Sequence, residues 1–99
     1  MLVYPGKDLY NKVDKIISKA FYTDYLYCDE NWYSIDRIIL NYVSCDSDNE
    51  IPIITVEISY IGSYMKKPRH FEVDLFLDRP DDLNSGIVLA AFERVEEEN

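Results

Sequence analysis

Between Lys7 and Phe21 the apolar residues Leu9, Val13, Ile16, Ile17, Ala20 and Phe21 recur every three or four positions, the period that gathers them on one face of an α-helix. Asp8 falls in the first turn and Lys15 and Lys19 toward the end, the order that complements the helix dipole, and Asp8 with Lys12 adds a pair at i,i+4. The sequence therefore predicts an amphipathic helix with a basic outer face. The stretch from Tyr22 to Trp32 has no clean period and reads as an irregular connection. From Tyr33 to Ser44 β-branched and aromatic residues dominate, and turn-forming residues follow from Cys45 to Glu50, so a strand and a hairpin loop are predicted. Over Ile51 to Tyr60 the period is two, with Ile54, Val56, Ile58 and Tyr60 on one side and Thr55, Glu57 and Ser59 on the other. A second connection, Gly62 to Arg69, leads to another alternating run. There Phe71, Val73, Leu75 and Leu77 oppose His70, Glu72, Asp74 and Phe76.

Three consecutive strands with short links suggest an antiparallel meander whose apolar face the N-terminal helix covers. The last element, roughly Gly86 to Glu96, fits either state, because Ile87, Val88, Ala91, Phe92 and Val95 also lie on a helical face. A helix there would hold Asn84, Ser85 and Gly86 at its start and would end with Glu96, Glu97 and Glu98 against the negative pole of its dipole. The reading favours a fourth strand, with a helix as the alternative. The fold class is α+β in one domain spanning residues 1–99.

The 99 residues bury about 60 to 70% of the unfolded surface at most, so the core must be compact. An apolar share of 47% with three glycines and four prolines suits a folded, soluble chain. The start from Met1 to Gly6 lacks a charged leader followed by a long apolar run, and the longest apolar run, Ile87 to Phe92, is too short to span a membrane. A cytoplasmic protein is expected, in the host cytoplasm if the source is viral. Cys28 and Cys45 lack the CxxC spacing of a zinc site or redox dithiol, and their pairing stays open.

The chemistry of catalysis is sparse. A lone His70 excludes schemes that need two imidazoles, and Gly6, Gly62 and Gly86 stand too far apart for a phosphate-binding loop. Asp29 and Glu30 beside Cys28 disfavour its thiolate. The acids at 46, 48, 50 and 57 match part of a calcium-loop template, but Ile51 stands where that loop needs Gly. Glu72 and Asp74 lie about 6.6 to 6.8 Å apart along one strand face, yet they stand on an open sheet where neither is desolvated for acid–base work. No catalytic residue, metal or cofactor is predicted, and the chain is expected not to be an enzyme.

Charge is the unusual feature: nineteen acids against ten Lys and Arg give −9, with nine tyrosines beside them. Glu57, Glu72 and Asp74 are predicted to share the sheet face away from the helix, joined by Asp36 if Ile38, Leu40 and Tyr42 point outward. Like charges so close repel one another unless a cationic partner relieves them. With Tyr25, Tyr27 and Phe76 as anchors, this face would suit a basic protein. The same charge repels DNA and RNA, which need Lys and Arg on their phosphates.

In size, charge, tyrosine content and α+β pattern the chain resembles the small acidic inhibitors that phages and other mobile elements direct against host nucleases and defence complexes, including anti-CRISPR proteins and other nucleic-acid mimics. Barstar-like nuclease inhibitors and toxin-immunity proteins share those features. The resemblance implies a non-enzymatic inhibitor of a basic, nucleic-acid-handling protein. A toxin-immunity protein, or a structural module that self-associates through an edge strand as a homodimer, is the alternative.

Overall fold

The computed structural model describes residues 6–21, 32–45 and 52–99, with side chains described for all of these except 6 and 42–45. The elements run α1 (Gly6–Phe21), β1 (Tyr33–Cys45), β2 (Pro52–Gly62), β3 (Arg69–Phe76) and α2 (Asp81–Glu97). The sheet is an antiparallel meander in the order β1-β2-β3. Its inner face is the alternation read from the sequence: Ile54, Val56, Ile58 and Tyr60 of β2 with Phe71, Val73 and Leu75 of β3. They are buried against Val13, Ile16 and Ile17 of α1 and Val88 and Phe92 of α2. Phe92 is the aromatic hub, with ring centroids 4.8 Å from Tyr33, 4.9 Å from Tyr60 and 5.3 Å from Phe21.

The final element is a helix, which corrects the predicted fourth strand. It begins at Asp81, five residues before Gly86, directly after Pro80, whose missing N–H costs nothing at a helix start. Asp81 and Asp82 then occupy the first turn, where the dipole favours acids. The residues that argued against a helix hold it in place. Asn84 is fully buried and its carboxamide accepts from the Phe76 N–H and donates to the Phe76 C=O, both at 2.8 Å. The Ser85 hydroxyl donates to the Ile16 C=O at 3.0 Å.

Those contacts also set the helix directions. Ile16 meets Ser85 and Phe21 meets Phe92, so α1 and α2 run parallel, side by side on the inner face. Asn84 lies at the end of β3 and Glu96 at its start, so α2 runs back along β3. The basic face of α1 is turned to the acidic start of α2: Lys12 and Lys15 lie 3.7 and 3.8 Å from the Asp81 carboxylate, and Lys19 pairs with Asp82.

Candidate functional site

β2 is the central strand, and its outward residues place the acids. Glu57 pairs directly with Glu72 of β3 and with Ile39 of β1, while one pleat further on Thr55 pairs with Asp74. Side chains directly opposite on neighbouring strands have Cβ atoms about 4.5 to 5.5 Å apart, so the Glu57 and Glu72 side chains leave the sheet side by side. Two neutral groups donate to these acids. The Asn41 amide donates to Glu72 at 3.1 Å, and the Thr55 hydroxyl donates to Asp74 at 2.7 Å. Among the described residues no Lys or Arg forms an ion pair with Glu57, Glu72 or Asp74; the ion pairs lie at the α1–α2 contact and at Arg69. No helix or strand among the described residues covers this outer face.

The rest of the face is ordered in rows. Beyond the acids toward the start of β3, Arg37, Ser59 and His70 form one row. At the other end Phe76 pairs with Ile53, half-buried, with the Arg79 guanidinium 4.5 Å over its ring centroid. Asp36 is exposed but stands in a bulge between Ile35 and Arg37, and Ile38 and Leu40 pair with Ile58 and Val56 on the inner side. The outward register that would align Asp36 with the other acids is therefore not the one formed. Tyr25, Tyr27, Cys28 and the acidic loop matching the calcium template lie outside the described residues.

A second constellation has no local signature in the sequence. Glu96, near the end of α2, has a carboxylate whose side chain is 16% exposed. It accepts from the Tyr60 hydroxyl, from Tyr64, from Tyr33 at 3.2 Å and from the Arg69 guanidinium at 2.6 Å. Gly62 makes room for it: a Cβ there would stand 2.8 Å from the Tyr33 ring. Burial alone would raise the Glu96 carboxyl, but the hydrogen bonds from Tyr60, Tyr64 and Arg69 outweigh it and hold the group below its ordinary value. Tyr33 and Tyr60 are pushed upward, first by burial and then by donating to Tyr64 and Glu96.

No protein-family model matches the chain, and no curated protein or solved structure matches it. Among the described residues, no helix is long and apolar enough to cross a membrane.

The tyrosine shifts make a prediction. A phenol raised in the folded state adds stability that is complete below its unfolded value near pH 10 and is lost as pH rises through the folded one. In a near-UV absorbance titration, at least two of the nine tyrosines should stay neutral until the fold is lost. All nine ionising together with the fold intact would contradict this arrangement around Glu96.

Proposed function

We propose that this protein is a non-enzymatic inhibitor that docks the outer face of its sheet onto a basic, nucleic-acid-handling protein, as small acidic anti-defence proteins of the anti-CRISPR type do. One observation carries the reading: Glu57 and Glu72 oppose each other with Asp74 one pleat away, and no cation of the described residues pairs with them. Holding like charges together costs free energy that a cationic partner returns on binding. Half-buried Ile39, Ile53 and Phe76 on the same face supply apolar contact, and the charge rows orient the encounter. Carboxylates so placed stand in for the phosphates that such a protein normally binds.

Two features weigh against the alternatives. β1 is interrupted by bulges after Ile35 and Leu40, which spoil that edge of the sheet, one of its two, as a template for self-association. Glu72 and Asp74 stand exposed, without the desolvation that acid–base catalysis asks of one carboxyl.

The test uses the intact chain and a variant with Glu57, Glu72 and Asp74 all changed to Lys as paired baits in extracts of the source cell, eluted with rising salt. Wild type should retain a basic nucleic-acid-binding protein that salt releases, and should suppress its activity on nucleic acid. The variant should associate at least about tenfold more slowly, with dissociation little changed, because steering acts on the encounter. Equal capture by both baits, or capture indifferent to salt, would overturn the proposal.

A further inference from the structure

The turn between β2 and β3 has the opposite character. Tyr64, Met65, Lys66, Lys67, Pro68 and Arg69 line an open depression of about 420 Å³. In a chain of net charge −9, three cations fall within four residues here. Lys66 and Lys67 are exposed, with no carboxylate of the described residues in ion-pair range. Arg69 binds Glu96 and Tyr64 through one nitrogen, Nη1, and a guanidinium carries five N–H donors, so others remain for a ligand. The wall is held before any ligand arrives. The Tyr64 hydroxyl donates to Glu96, the Met65 N–H donates to the Gly62 C=O at 3.0 Å, and the Ser63 N–H donates to the Trp32 C=O at 2.9 Å. Such preorganisation lowers the entropic cost of binding.

We propose that this turn binds an acidic peptide segment of a partner, one that sets an apolar side chain beside two or more carboxylates. Charge complementarity names the anion: Lys66, Lys67 and the outer N–H groups of Arg69 suit carboxylates. The half-exposed Tyr64 ring, Met65 and Pro68 add an apolar wall that a bare inorganic anion would leave unused. A polynucleotide fits less well. Its binding needs a longer run of Lys and Arg, and repulsion from the whole molecule grows with ligand charge. This site lies at the end of the sheet and carries the opposite sign, so it stands or falls separately from the docking of the acidic face.

The experiment titrates the ¹⁵N-labelled full chain with three probes: the peptide Glu-Glu-Phe-Glu-Glu, its Gln-Gln-Phe-Gln-Gln counterpart and a thymidine oligonucleotide of equal charge. The acidic peptide should give saturable amide shifts confined to residues 64–69. The variant Lys66→Glu/Lys67→Glu, altered only on an exposed turn and checked by its thermal melt, should bind at least about tenfold more weakly. Absence of shifts in the turn, equal shifts with the glutamine peptide, or an unchanged response in the variant would overturn the site. Tighter binding of the oligonucleotide at the same residues would overturn the peptide assignment.

Discussion

Replacing Asn84 by Ala should lower the stability of the fold by about 3 kcal/mol, seen as a fall of about 12 °C or more in Tm. The Leu77 N–H donates to the Pro52 C=O, which makes Leu77 the residue whose backbone faces β2, so at Phe76 the backbone N–H and C=O turn away from β2. No fourth strand among the described residues meets them. The Asn84 carboxamide takes that place, offering one acceptor and one donor as a neighbouring peptide group would. Truncation removes two buried bonds and leaves both Phe76 groups without these partners, which costs more than the bonds themselves are worth. Asn84→Asp separates geometry from volume. At neutral pH it keeps the acceptor but sets an anion against the Phe76 carbonyl, so it should be worse than Ala, and it should recover as acid restores an O–H donor. A loss under about 1 kcal/mol for Ala would mean that the carboxamide does not hold the helix to the sheet.

The same residue explains where the sequence was legible and where it was not. α1 and the three strands could be read because their apolar residues repeat at the period of the element that buries them; Val13, Ile16 and Ile17, or Ile54, Val56 and Ile58, announce one face each. That Glu57, Glu72 and Asp74 share a face followed from that alternation, whereas the register that sets Glu57 opposite Glu72 did not. α2 could not be read in the same way. Asn84 and Ser85 have low helix propensity because their side chains compete for backbone groups, and in this fold they bond backbone that belongs to β3 and α1. Glu96 near the helix end looked unfavourable for the dipole, yet Arg69 lies 2.6 Å away. The members of its cage come from positions 33, 60, 64, 69 and 96, so no local spacing connects them. Asp36 shows the limit of alternation itself, since one extra residue after Ile35 resets the faces of a strand.

The cage around Glu96 should have the other large effect. Glu96→Ala removes the acceptor shared by Tyr33, Tyr60 and Tyr64 and the counter-ion of Arg69, at an expected cost of about 2 to 3 kcal/mol. Part of that is offset, because an acid near the negative end of a helix dipole is itself unfavourable. Glu96→Gln keeps an acceptor for the phenols but not the charge, so about half the loss is expected. The two variants also differ from wild type in acid. A carboxyl held below its ordinary value of 4.5 contributes stability that is present above that value and lost as pH falls through the folded one. Wild type should therefore lose stability below about pH 4.5 more steeply than Glu96→Gln, and the two denaturation curves should converge as pH falls. The groups facing the carboxylate across the cage are Tyr33 of β1, Tyr60 of β2, Tyr64 of the turn and Arg69 of β3, and Tyr33, Tyr60 and Arg69 are all pushed upward, away from that range. Convergence therefore reports on Glu96. Parallel acid limbs in wild type and Glu96→Gln would show that the cage exerts no pull on this carboxyl, and the account of how α2 closes over the sheet would have to be rebuilt from packing alone.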